Sequence, residues 1–264
     1  MNIDLKNKHA VISGSTSGIG YAIAHGLAAA GANVVINGRS KSSVFDAVAK
    51  LKKELPNAQI HGVAADLGTA NGVAEFVGQV PATDILINNL GIFESKAFFD
   101  LTDEDWDKFF QVNVMSAVRL SRHYAPGMVS QGWGRIQFLS SDSAVQIAKE
   151  LVHYAMTKTA LLAVSRGLAE TLIGTGVTVN ALLPGPTRTE GVATFFAQMA
   201  KEQGTTTEIL EADFIREQCP SSLIQRLTTS EEVANMSVYL ASTQASATTG
   251  AAVRVDGGVV RSIF

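Results

Sequence analysis

Tyr154 and Lys158 stand four residues apart in HYAMTKTA (153–160), a spacing that puts two side chains on one face of a helix. A phenol beside an ammonium is an acid–base pair. At an effective dielectric of ~20, a cation ~4 Å away is worth up to roughly three pK units, which would draw a tyrosine down from ~10 towards neutrality. The bland alternative is a solvated helix surface, so the pair takes its meaning from its company. Ser141 lies thirteen positions earlier, closing the apolar run RIQFLSS (135–141), where a hydroxyl can hydrogen-bond and polarise a substrate oxygen. Asp142, Ser143 and Gln146 follow it, either touching substrate or forming an ordinary loop. His153 adjoins Tyr154 but points elsewhere on a helix. The five histidines (9, 25, 61, 123, 153) are scattered, with no HExxH or Cys/His cluster, so no metal site is expected.

A second constellation opens the chain. SGSTSGIG (13–20) follows the first apolar run and precedes a helical pattern. Gly14, Gly18 and Gly20 permit a tight turn and close approach of the backbone to a pyrophosphate at a helix N-terminus. The spacing is GxxxGxG rather than GxGxxG. After the second apolar run comes NGRS (37–40). Gly38 offers no carboxylate for a ribose, and Arg39 with Ser40 suits an additional phosphate, so NADP is expected rather than NAD.

The elements that must position these groups alternate. Apolar runs at 9–13, 34–37, 59–65, 85–89, 135–141, 177–183 and 252–255 read as about seven strands. Helical patterns at 21–31, 43–55, 103–129, 154–173 and 229–242 lie between them. Strands apolar throughout imply a sheet covered on both faces, hence a Rossmann-like, doubly wound parallel α/β fold in a single domain, 1–264. From about 187 to 228 helical sequence continues without a strand. Its length suggests a substrate lid, with Phe195, Phe196, Met199, Phe214 and Ile215 packing on the body or lining a pocket.

Composition narrows the class. A chain with 46% hydrophobic and 17% charged residues can fill a sizeable core, and its net charge of −3 gives no bulk attraction for nucleic acid. The single cysteine, Cys219, excludes an intrachain disulfide. The polar start and the lack of an ~18-residue apolar run point to a cytoplasmic protein without membrane attachment.

In chain order these motifs resemble the short-chain dehydrogenase/reductase family in its compact form, over nearly the whole chain. SGSTSGIG resembles the family's glycine motif, with Ser13 in place of the usual threonine, and NNLG (88–91) its NNAG, with Leu90 in place of a small residue. The resemblance implies a catalytic set of Asn113, Ser141, Tyr154 and Lys158, Asn113 positioning a water for proton relay. It implies cofactor contacts from Gly14, Ser15, Ser17, Gly18, Ile19 and Gly20 of the turn, and from Arg39 and Ser40. Asp66 and Leu67 would serve the adenine, Asn89 and Gly91 the path beyond it. Tyr154 and Lys158 would reach the ribose, and Pro184, Gly185 and Thr187 of PGPT the nicotinamide. The implied activity is hydride transfer between NADP(H) and a small carbonyl or secondary alcohol substrate, in a homotetramer. A 3-oxoacyl reductase is one form of it, with Arg119 and Arg122 meeting an acidic carrier or forming subunit salt bridges. The alternative from another class is a catalytically silent NAD(P)-binding sensor. A sugar-nucleotide epimerase would need a larger C-terminal domain.

Overall fold

The computed structural model describes residues 2–263. Every apolar run read above is a strand: β1 (His9–Ile12), β2 (Asn33–Gly38), β3 (Ile60–Ala64), β4 (Ile85–Asn88), β5 (Gly134–Leu139) and β6 (Val177–Pro184). A short pair, β7 (Thr187–Arg188) and β8 (Thr228–Thr229), precedes the last, β9 (Ala252–Val255). The helices are α1 (Gly18–Ala29), α2 (Lys41–Glu54), α3 (Ala70–Gln79), α4 (Asp103–Phe110), α5 (Ser116–Gln131), α6 (Val152–Thr171), α7 (Glu190–Gln203), α8 (Thr207–Gln218) and α9 (Ser230–Ala241).

Seven strands form one sheet in the order β3-β2-β1-β4-β5-β6-β9, every pair parallel. Alternation within β1 shows why its residues are all apolar. Ala10 and Ile12 enter one core with Ile23 and Leu27 of α1, Leu51 of α2 and Val233 of α9. Val11 enters the opposite core with Phe76 of α3, Leu120 and Tyr124 of α5 and Leu161 of α6. Winding reverses between β1 and β4, and such a reversal opens a crevice at the carboxyl ends of the strands. The glycine turn and Ser141 both lie at that edge.

Three sequence expectations need correction or completion. The stretch 103–129 is not one helix: Gln111–Met115 is π-helical and separates α4 from α5. An inserted residue of this kind re-aims the side chains around it. Helix α3 has only a weak helical signal in the sequence, because ANGVAEFVGQ carries two glycines. Its signal was the cap, Thr69 accepting from Gly72 N, ahead of Val73 and Phe76. The 187–228 excursion is not without strand: β7 and β8 pair in parallel, Thr187 with Thr228 and Arg188 with Thr229. That two-residue ladder closes the base of the excursion, which the hydroxyls of Thr187 and Thr228 reinforce at 2.9 Å.

Within the excursion α7 and α8 form their own small core of Phe196, Ile215, Cys219 and Leu227 with Val259, and Phe214 packs against it. Phe195 remains exposed. Arg188 pairs with Glu211 at 2.8 Å, and Lys50 of α2 with Glu190 at 2.8 Å. No helix among the described residues is long and apolar enough to cross a membrane.

Candidate active site

The glycine turn is built to leave backbone exposed. Gly18 has φ +57°, which other residues rarely adopt. A Cβ on Gly20 would lie 2.6 Å from the Gly14 carbonyl oxygen, so only glycine lets α1 start so close to the turn. Buried side chains hold the loop from behind. Asn37 Oδ1 accepts from Gly14 N at 3.2 Å, and Ser15 Oγ donates to Ile12 O at 2.7 Å. Ser17 is the N-cap of α1 but its side chain caps nothing. The first amides of α1 are therefore left to a ligand, and an anion is what a helix N-terminus receives best. These features fit a dinucleotide pyrophosphate.

The other expected cofactor residues divide into those that present groups to the cleft and those that build its wall. Arg39 is exposed and makes no ion pair among the described residues. Ser40 caps α2 by accepting from Ser43 N at 3.2 Å. Asp66, exposed beyond β3, accepts from Gly68 N at 3.1 Å, while the Leu67 side chain is a core residue. Asn89 Nδ2 donates to the carbonyls of Ser13 and Gly14 at 3.0 and 2.8 Å, which makes it a brace for the turn. Ser13 Oγ in turn accepts from the amides of Asn89 and Leu90, both at 3.0 Å. Pro184 ends β6, Gly185 N donates to Val255 O at 3.1 Å, and Thr187 Oγ1 donates to Gly185 O at 2.8 Å. The segment that begins the excursion is thus pinned beside the strand ends.

Four segments converge on the opposite half of the cleft. Lys158 of α6 is 5% exposed, and its Nζ donates to Leu139 O, the last residue of β5, at 2.8 Å. A Cβ on Gly91 would lie 3.3 Å from that Nζ and 3.6 Å from Asn113 Oδ1, so Gly91 lets the loop after β4 nestle between them. Asn113 is fully buried in the π-helical turn. Its Oδ1 accepts from Ile92 N at 2.8 Å, and its Nδ2 donates to Ile92 O and Thr157 Oγ1, both at 3.0 Å. Its amide is therefore engaged in joining the β4 loop to α6. Ser141 lies two residues beyond β5 rather than in it, at the N-cap of a 3-10 turn, Asp142–Ala144. Tyr154 is partly exposed, and Phe93 meets its ring edge-on at 6.1 Å between centroids.

The electrostatics differ from the sequence expectation. Burial pushes the Tyr154 phenol up to about 12, aided by the charge of Asp142 and opposed by the nearby Ser141 hydroxyl. Burial also pulls the Lys158 ammonium down to about 8. In the protein alone, desolvation outweighs mutual attraction. Lys158 Nζ lies 5.6 Å from the centre of the Tyr154 ring while donating to Leu139 O. At neutral pH the phenol keeps its proton, so Tyr154 is set to donate one.

Two other residues resolve differently. His153 is fully buried against Phe109, at 4.1 Å between ring centroids, and Trp106, so it is a packing residue. Arg119 is half-buried and donates to Gln111 Oε1, whereas Arg122 is exposed.

Residues 14–260 match the family model described as Enoyl-(Acyl carrier protein) reductase. The chain is 46% identical over 264 residues to the uncharacterized oxidoreductase YvaG of Bacillus subtilis, covering 100% of both chains. It is 47% identical to YvrD of the same organism, again over 100% of each. Among solved structures it is similar to L-sorbose reductase from Gluconobacter frateurii, complexed with NADPH and L-sorbose. That match has a TM-score of 0.93 and 34% identity over 100% of both chains.

Proposed function

The chain belongs to the short-chain dehydrogenase/reductase family and is an NAD(P)H-dependent oxidoreductase, and on that premise we propose that it reduces a ketone to a secondary alcohol with NADPH. The observation that carries the reading is Tyr154: a phenol held protonated at neutral pH beside a buried lysine. When bound, the nicotinamide supplies or accepts the hydride. Hydride arrival at a carbonyl carbon leaves an alkoxide, and Tyr154 gives it a proton. Ser141 shares the reacting oxygen, and Lys158 serves the ribose and the phenol together. Oxidation of an alcohol asks Tyr154 to take a proton, which its high pKa disfavours until the pH rises. Exposed Arg39 supports NADP over NAD, and the NADPH and uncharged ketose of the solved L-sorbose reductase support both halves of the proposal.

The test is single-turnover hydride transfer from saturating NADPH across a ketone panel that includes L-sorbose. Tyr154→Phe is expected to slow it about 10²–10⁴-fold while leaving NADPH affinity nearly unchanged. A variant as fast as the parent would refute the assignment. NADPH binding with no turnover by the parent would favour the silent sensor.

A further inference from the structure

Phe93 meets the Tyr154 ring edge-on, 6.1 Å between centroids at 69°, yet remains 71% exposed. An aromatic pair at that distance and angle is an attractive contact, but here it covers only a small part of the phenylalanine. The backbone on either side fixes the ring in this place. Asn113 grips both polar groups of the preceding residue, accepting from Ile92 N at 2.8 Å and donating to Ile92 O at 3.0 Å. Three residues further on, Lys96 N donates to Glu150 O at 2.9 Å, and Lys96 Nζ pairs with Asp105 at 2.6 Å. The loop after β4 is thus held before and after Phe93, and it is joined to the loop that follows Ser141.

We propose that Phe93 is a specificity-determining residue whose free surface packs against an apolar group on the carbonyl carbon, so that the substrate class is an uncharged ketone with an apolar flank. The inference rests on the reading of Tyr154 as the group that protonates the reduced carbonyl. Tyr154 must touch the reacting oxygen, and Phe93 touches Tyr154, so a substituent of the carbonyl carbon comes within reach of the phenyl ring. An apolar substituent that covers the ring removes apolar surface from water on both partners. A charged one would shed water against a surface that offers it no hydrogen bond.

The charges around Tyr154 argue against an anionic substrate. The Asp142 carboxylate acts on the Tyr154 phenol, and Asp256 acts on Asp142. Glu94 and Glu150 lie on the two joined loops. The lysines of these segments already have partners. Lys96 is paired with Asp105, exposed Lys149 stands 3.5 Å from Glu150, and buried Lys158 donates to Leu139 O. A substrate carboxylate would therefore be desolvated without a cation to receive it. Val145 and Ile147, both exposed on the loop joined to that of Phe93, add apolar surface instead.

The experiment compares kcat/KM for acetophenone with that for acetone, and for ethyl acetoacetate with that for acetoacetate, at neutral pH with saturating NADPH. Phe93→Ala should lower the acetophenone-to-acetone ratio about two- to tenfold, the worth of one aromatic contact. A residue that merely supports Tyr154 would slow both ketones alike, and an unchanged ratio would overturn this inference alone. Phe99→Ala removes a ring that is 96% exposed but pairs with Phe98 rather than Tyr154. It should leave the ratio as in the parent, and an equal fall there would overturn the assignment to Phe93. The parent should use ethyl acetoacetate at least about tenfold better than acetoacetate, because the ester brings no charge to desolvate; equal use of the two would overturn the substrate class. If Phe93→Ala loses all turnover, Phe93→Leu supplies the ratio, which should again fall. No turnover of any of the four ketones by the parent would overturn the reading of the site and this inference with it.

Discussion

Lys158 Nζ donates to the carbonyl oxygen of Leu139 at 2.8 Å, tying the middle of α6 to the last residue of β5. This bond holds the ammonium under the loop that carries Gly91, and it is the bond the structure gives Lys158 in place of one to the Tyr154 hydroxyl. The anchor has a cost in stability.

Burial lowers the Lys158 pKa from 10.5 to about 8. The unfolded chain therefore takes up a proton between those values that the folded chain resists, and the penalty is complete below about pH 8. A shift of that size corresponds to about 3 kcal/mol, and losing the bond to Leu139 returns about 1 kcal/mol. Lys158→Met should thus gain about 2 kcal/mol at pH 7 while losing turnover and weakening NADPH binding. The gain should shrink as pH rises from about 8 to 10.5. Urea melts of both proteins at pH 7 and pH 10 measure it, and an equal difference at both would contradict the burial argument.

Arg39 stands exposed beyond β2 with no ion-pair partner among the described residues, and Gly38 beside it offers no acid. Arg39→Ala should weaken NADPH binding about tenfold or more, the worth of a charge-assisted phosphate contact, with NADH affinity nearly unchanged. Fluorescence titration of both dinucleotides reads this directly. Equal losses for the two would place Arg39 away from the additional phosphate.

The excursion between β7 and β8 has its own small core, and ion pairs at Lys50–Glu190 and Arg188–Glu211 connect it to α2 and to its own base. Surface pairs of this kind hold weakly. If the segment closes over substrate, the amides of α7 and α8 should exchange hydrogen faster than those of α6 in the free protein. They should slow when NADPH and a ketone are both present. Full protection without ligands would make the segment a fixed part of the body.

The sequence by itself determined the strands, the glycine turn and the lineup of Ser141, Tyr154 and Lys158, because each depends on local periodicity or a short spacing. A strand buried on both faces must be apolar at every position, as Ala10, Val11 and Ile12 are. A turn into a helix without a capping side chain advertises its own glycines. Partnerships across long stretches of chain were decided only by the tertiary structure. Asn113 reads as part of an even helix until the π-helical turn places its amide between Ile92 and Thr157, 21 and 44 residues away. The Asn89 side chain braces the turn and the Leu67 side chain fills the core, partnerships that no local spacing states. The pKa directions of Tyr154 and Lys158 belong to the same class. Spacing states that two groups are close, but desolvation is set by everything else packed around them. For a half-covered phenol and a buried ammonium, that second effect is the larger.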